Sequence, residues 1–200
     1  MAQYYVDNTP FAGHGTGTAQ AGTSGTITLA ATCPAATNAL TNYGIHIVSG
    51  TGARQSRRIT AYDTDTKIAT VHTGWNTPPD ATSVYDITVG CDSNNGLAQG
   101  LYGGTNGAFA SMQAALSNTS LAAGDTIWVK AGTSYTWSNS SSYHATISKA
   151  GTAISPIVLE GYKDTPGDAD THRDDDAYRA TIDGNRLSLA NGLGNTLSSS

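Results

Sequence analysis

Charge is what this chain has least of. Asp, Glu, Lys and Arg together make up 12 % of its 200 residues, against roughly a quarter in an average soluble protein. The formal net charge is −5. No basic stripe exists to neutralise phosphates, which argues against nucleic acid as a partner. The one basic cluster, Arg54, Arg57 and Arg58, is too small for that task alone. Cysteine is nearly absent as well. Cys33 and Cys91 lie far apart and outside any metal-ligand spacing; one disulfide is allowed, and two free thiols is the preferred reading. Long apolar runs are missing, and none approaches the roughly 20 residues of a membrane span. The opening MAQYYVDNTP has neither the basic region nor the apolar core of a signal peptide. The expectation is a soluble chain made in a cytoplasm, with no membrane partner.

What fills the space left by charge is Gly (23 residues) together with Thr, Ser, Ala and Asn. That composition fits turn-rich β architecture with neutral polar surfaces. Disorder is the alternative, but ten Tyr, three Trp and repeated β-branched runs speak against it. The chain divides near Gly90. Gln3 to Val6 form a short aromatic strand, and residues 11 to 25, FAGHGTGTAQAGTSG, read as a Gly/Thr-rich loop. Strand-like segments follow at 26–29, 44–48, 56–62, 67–71 and 83–89, separated by turns such as Ser49-Gly50-Thr51-Gly52 and Asp63-Thr64-Asp65-Thr66. Short strands at this spacing predict a small antiparallel β-barrel or sandwich over residues 11–90.

The second half has another character. DSNNG at 92–96 is a dense turn, and AFASMQAALSN at 108–118 predicts a helix. Phe109, Met112 and Leu116 form its apolar stripe and Asn106 is its candidate cap. Short apolar strands are expected at 126–130, 157–162 and 180–184, with loops of very unequal length between them. Stacked solenoid coils have that pattern.

Five segments in order carry a family resemblance: DSNNGL (92–97), AFASMQAAL (108–116), GDTIWVKAGT (124–133), SPIVLEGY (155–162) and ATIDG (180–184). Residues 91–184 resemble the N-terminal part of the pectate-lyase-like, right-handed parallel β-helix superfamily. The resemblance implies that residues 91–200 hold the cap and first coils of such a solenoid, with the helix covering its open end. A second resemblance rests on GTAQAGTSGTITLA, IVSGTGARQSRRITAYDTDTKIATV and TGWNTPPDATSVYDI. Residues 18–89 look like a small module that recurs in tailed-bacteriophage virion proteins. Its position is unusual, because YYVDNT at 4–9 leads straight into Ser-Asn-Asn-Gly in the β-helix pattern, whereas about eighty residues intervene here. The expectation is that residues 1–10 supply the first β-helix strand and that 11–90 are inserted after it. Tyr4 to Val6 would then pair beside Ile127 to Val129, and strands 126–129, 157–160 and 181–182 would stack in parallel. The fold class expected is therefore all-β, with one capping helix.

Chemistry is thinly represented. Asp164, Asp168, Asp170, Asp174, Asp175 and Asp176 crowd one stretch with His172 and Arg173. A calcium site or the carboxylates of a polysaccharide-cleaving spike are the functional readings; a solvated, Asp-rich loop is the structural one, and it is preferred because EF-hand spacing is missing. Asp183 falls in a strand-ending turn, and the five histidines (His14, His46, His72, His144, His172) are scattered singly. Gly13 to Gly17 lacks the strand and helix context of a phosphate loop. No catalytic, cofactor-binding or metal residue is assigned, no cofactor is expected, and the chain is not expected to be an enzyme.

The resemblances imply a structural component of a phage particle: a fibre, spike base or decoration protein docking on other virion proteins of the capsid, neck or tail. The alternative is the particle-proximal part of a receptor-binding or polysaccharide-degrading tailspike, with a host surface glycan as partner. A secreted lyase is a third class, disfavoured by the opening residues. Beyond Gly184 the chain reads NRLSLANGLGNTLSSS, with a candidate strand at 187–189 and no capping helix. The expectation there is a continuing solenoid, or an end sealed by another subunit in a homo-oligomer such as a trimer.

Overall fold

Alternating apolar and polar residues along 44–88 set up strands with one buried face, and that face decides the first half of the molecule. The computed structural model describes residues 1–131, 134–135, 151–166 and 181–182. Within them the strands are β1 (Gln3–Val6), β2 (Thr16–Thr18), β3 (Ala21–Gly22), β4 (Thr26–Thr28), β5 (Gly44–Ser49), β6 (Ser56–Asp63), β7 (Ile68–Val71) and β8 (Val84–Thr88). Helix α1 (Met112–Leu116) follows, then β9 (Thr126–Lys130), β10 (Ser134–Tyr135), β11 (Val158–Tyr162) and β12 (Thr181–Ile182). The described protein is all-β apart from one helical turn and a half.

Strands β2 to β8 form a seven-stranded antiparallel sheet in the order β2-β8-β5-β6-β7-β4-β3. Its two outermost strands are neighbours in sequence, separated only by Ala19 and Gln20. Three Cα steps reach no more than about 11 Å, so the sheet must curl until its edges nearly meet. Ala19 N–H then donates to Ser83 O (2.8 Å) and Gln20 N–H to Thr28 O (2.9 Å), one bond toward each side. No pairing joins β2 to β3 themselves, so the expected barrel or sandwich is instead a curled sheet with an open ladder. Register shifts at Ile47/Ser49 and at Ile59/Ala61 sharpen the bend. The second shift also changes the phase of β6, so Ile59 and Tyr62 both point inward. Ile27, Leu29, Ile45, Ile47, Ile59, Tyr62, Val71, Tyr85 and Ile87 meet inside as one core.

Sequence did not reveal β2 and β3. They lie in the stretch expected to be a loop, and Thr-Gly-Thr and Ala-Gly carry no apolar alternation. Their strand form comes from the partners they meet, β8 and β4.

The other half is parallel. Strand β9 lies between β1 and β11, with Tyr4, Ile127 and Leu159 in one row and Val6, Val129 and Gly161 in another. Tyr4, Val6, Ile127 and Val129 are buried in a second core with Phe109, Met112, Leu116 and Leu121, and Leu159 packs against it. Tyr4 to Val6 thus pair beside Ile127 to Val129, as the sequence predicts. Thr181–Ile182 does not join this sheet: β12 pairs in parallel with β10 instead. Asp125 ties the start of β9 down, accepting from Ala2 N–H (2.6 Å) and Ala122 N–H (2.9 Å).

The helix is shorter than its apolar stripe suggests. Residues 108–110 are not helical because Phe109 is spent on β1: its N–H donates to Tyr5 O (2.9 Å) and its carbonyl accepts from Asp7 N–H (2.8 Å). The cap is Ser111, whose hydroxyl accepts from Ala114 N–H, and not Asn106. Tyr5 N–H donates to Gly96 O (2.8 Å), so Gly96 and Phe109 together cover the edge of β1 that faces away from β9.

The two halves meet at Gly90. Its N–H donates to Asp7 O (2.7 Å), Val89 N–H to Thr9 O (2.9 Å) and Cys91 N–H to Ala108 O (2.9 Å). The segment leaving β1 and the segment leaving β8 therefore run side by side. A Cβ at Gly90 would overlap the carbonyl oxygens of both Phe109 and Asp7, and neither backbone can yield without losing its own bonds. Gly90→Ala is expected to destabilise the chain by about 1–3 kcal/mol, the usual effect of overpacking, measured as a lowered urea midpoint. An unchanged midpoint would mean that these backbones do not approach as described.

Candidate functional site

The Asp-rich stretch is placed only at its start. Asp164 is exposed, and its carbonyl accepts from Gln99 Nε2 (2.8 Å). Asp168, Asp170, His172, Arg173, Asp174, Asp175, Asp176, Asp183, His144 and the candidate strand 187–189 lie outside the described residues. Among the described residues no group of three or more His, Cys, Asp or Glu side chains is placed to hold a metal ion. None of the described helical residues makes a helix long and apolar enough to cross a membrane.

Of the arginine cluster, Arg57 and Arg58 are half-buried and Arg54 is exposed. Arg57 donates to the carbonyls of Gly74 (3.1 Å) and Ser56 (2.8 Å) and to Asn76 Oδ1 (3.2 Å), with its guanidinium 5.5 Å from the Trp75 ring. Arg58 Nη1 donates to Asn42 Oδ1 (3.3 Å). Arg57 thus fixes the loop after β7, and Arg58 ties β6 to the segment before β5. Gln55 holds the same loop as Arg57: its Oε1 accepts from Asn76 N–H (2.6 Å) and its Nε2 donates to Thr77 O (2.7 Å) and Gly52 O (2.9 Å). Gly52 has φ +77°, and a Cβ there would stand 2.8 Å from Thr77 O. The two most distinctive motifs of the first half, SGTGARQSR and WNTPPD, are thus one interlocked corner.

Among the described residues, a group of chemically competent side chains sits on the seam. His46 on β5 is flanked across the sheet by Ser56 of β6 and Asp86 of β8, and its Nε2 lies 2.9 Å from Thr88 Oγ1. Cys91 Sγ contacts Ser56 Oγ (3.3 Å) and Ser93 Oγ (2.9 Å). Ser56 Oγ also accepts from Asp92 N–H (2.9 Å). A Cys, a His and an Asp this close invite comparison with a thiol nucleophile and its base. The electrostatics oppose that role. Burial pushes the Cys91 thiol up, only partly offset by bonds from Ser56 and Ser93, and a thiol kept protonated is a poor nucleophile. The Asp92 carboxylate is fully engaged elsewhere: Oδ1 accepts from Ala110 N–H (3.0 Å) and Ser111 N–H (2.8 Å), and Oδ2 from Ser111 Oγ (2.8 Å). What this group does is join: Ser56 of the curled sheet holds the Asp92 backbone, and the Asp92 side chain holds the start of α1. Sequence reasoning saw Asp92 only as a turn residue, because its partners lie 18 and 19 residues ahead and on another sheet.

His14 and His72 are also spent on structure. His14 Nε2 lies 2.8 Å from Tyr85 Oη, which accepts from Ala30 N–H (3.0 Å) and is pushed up to about 12, chiefly by burial. His72 Nδ1 accepts from Arg58 N–H (3.1 Å).

Compared with protein-family models, with curated proteins and with solved structures, the chain matches none.

Replacing Asp92 by Ala leaves two N–H groups at the helix start and one hydroxyl without their acceptor. Loss of such a charge-assisted cap is expected to cost about 1–3 kcal/mol. Hydrogen exchange should quicken first at Ala110 and Ser111; protection that stays uniform would show that the carboxylate is dispensable.

Acid should loosen the curled sheet and the seam beside it. His14, His46 and His72 are all held below the ordinary imidazole range, each first by burial. The unfolded chain therefore takes up protons before the folded one as pH drops. Stability is full above about 6.5, the ordinary imidazole value, and declines as pH falls below it. Urea midpoints measured at a series of pH values should fall through this window, before the carboxylates protonate. A flat profile down to about pH 5 would contradict the placement of these rings.

Proposed function

We propose that this chain is a structural component of a bacteriophage particle, a fibre, spike base or decoration protein. In this reading β1, β9 and β11 open a right-handed parallel β-helix, and residues 11–90 are a docking module inserted after its first strand. The observation that carries the solenoid part is the second parallel pair. Chain order runs β9, β10, β11, β12, and β11 stacks on β9 while β12 stacks on β10. Each pass of the chain thus adds one strand to each of two sheets, as a coil does. The sealed outer edge of β1 supports its place as the terminal strand, since an uncovered edge would recruit other chains.

The module's interlocked corner and its adjacent ends support insertion: a unit whose two ends lie side by side can enter a strand connection without separating what it interrupts. Its virion role rests on the likeness of residues 18–89 to the recurring phage module. Capsid, neck or tail proteins are the partners proposed, through neutral polar surfaces that bind by shape and hydrogen bonding more than by charge.

The test is location. Particles purified by density gradient from a lysate of the host that makes the chain should contain it by mass spectrometry. Immunogold labelling with an antiserum against residues 11–90 should mark a fixed place on each particle. A chain that stays in the soluble fraction and never sediments with particles would overturn the reading.

A further inference from the structure

We propose that Asn106 is a site of spontaneous deamidation, and that its conversion to isoaspartate unfastens the strip covering the outer edge of β1. Asn106 is followed by Gly107, and Asn95 by Gly96; glycine, with no side chain, leaves its nitrogen free to approach the preceding amide carbon. The two pairs face each other across one strip. Asn95 N–H donates to Thr105 O (2.8 Å), Gly96 N–H to Gly107 O (3.1 Å), Ala98 N–H to Asn106 O (2.6 Å), and Asn95 Nδ2 to Asn106 Oδ1 (2.8 Å).

Their situations differ where the chemistry needs them to. At Asn95 the attacking nitrogen is that of Gly96, whose N–H is bonded, and both ends of the side-chain amide are engaged, Oδ1 accepting from Leu97 N–H (3.2 Å). At Asn106 the side chain is exposed and its Nδ2 donates to nothing among the described residues. Gly107 is buried, and its N–H meets no acceptor among the described residues. A buried donor without a partner is a standing penalty, and cyclisation removes that donor altogether.

In the step, Gly107 N bonds to Asn106 Cγ and the Cγ–Nδ2 bond breaks. The Gly107 amide proton leaves with Nδ2 as ammonia. Water then adds to the resulting succinimide: opening at Cγ gives aspartate, and opening at the α-carbonyl gives isoaspartate. No oxidant or reductant is involved. Isoaspartate routes the main chain through Cβ and Cγ, lengthening the strip by one atom beside the Ala98 and Gly96 bonds. Gly96 is the residue whose carbonyl holds Tyr5 N–H, so slack at 106 reaches β1 directly.

The experiment is ageing of the full chain in warm, mildly alkaline buffer, followed by peptide mapping that separates aspartate from isoaspartate. The bonds that Asn95 alone must break correspond to roughly a tenfold rate difference, so Asn106 should convert about tenfold faster. Aged protein should exchange the Tyr5, Gly96 and Ala98 amides faster than fresh protein, and Asn106→Gln, which cannot close a five-membered ring, should keep fresh-protein exchange throughout. Conversion of Asn95 ahead of Asn106 would overturn the proposal. So would an Asn106 that stays intact while a free peptide spanning 103–110 converts.

Discussion

The molecule depends on one crowded point. At Gly90 three stretches of backbone, those of Asp7, Phe109 and Gly90 itself, lie within hydrogen-bonding distance of one another. None of the three is regular secondary structure, and only a residue without a side chain fits there. Around that point two cores form that share no buried residue. One is enclosed by an antiparallel sheet curled on itself, the other lies beneath a parallel sheet and one short helix. Because the chain leaves the parallel sheet at Val6 and returns beside the same strand at Gly90, the second core is assembled from residues more than a hundred positions apart without being strained by what lies between.

Side chains then lock what the backbone crossing sets. Asp92 is the clearest case, its N–H on Ser56 of one sheet and its carboxylate on the helix start of the other half. The cluster around it has the residue types of a catalytic centre but the energetics of a joint: a thiol raised by burial, a carboxylate with its acceptors filled, an imidazole kept neutral. Proximity of reactive groups is not reactivity; what matters is whether any of them is left with an unfilled role.

Legibility in the sequence followed the source of each element's stability. Strands that bury a face of their own, such as Ile45/Ile47, Tyr85/Ile87 and Ile127/Val129, announce themselves by alternation, and their bounds were legible to within a residue or two. The pairing of Tyr4 to Val6 beside Ile127 to Val129 was readable only through the family resemblance, since nothing local links them. Strands β2 and β3 were invisible because they contribute backbone and little else. The helix was over-read because its apolar stripe is real while Phe109, the first member, is claimed by β1. The seam was unreadable for a different cause: Ser56, Cys91 and Asp92 acquire their roles from partners that periodicity cannot see.

The side-by-side course of the segments leaving β1 and β8 also decides how the chain would carry a pull. Tension applied along the parallel sheet reaches Val6 on one side and Cys91 on the other. Between those residues the shortest route is the set of bonds linking Asp7, Gly90, Ala108 and Phe109, not the eighty-odd residues of covalent chain that loop out through the curled sheet. The antiparallel half therefore hangs outside the load path while the parallel half bears the strain.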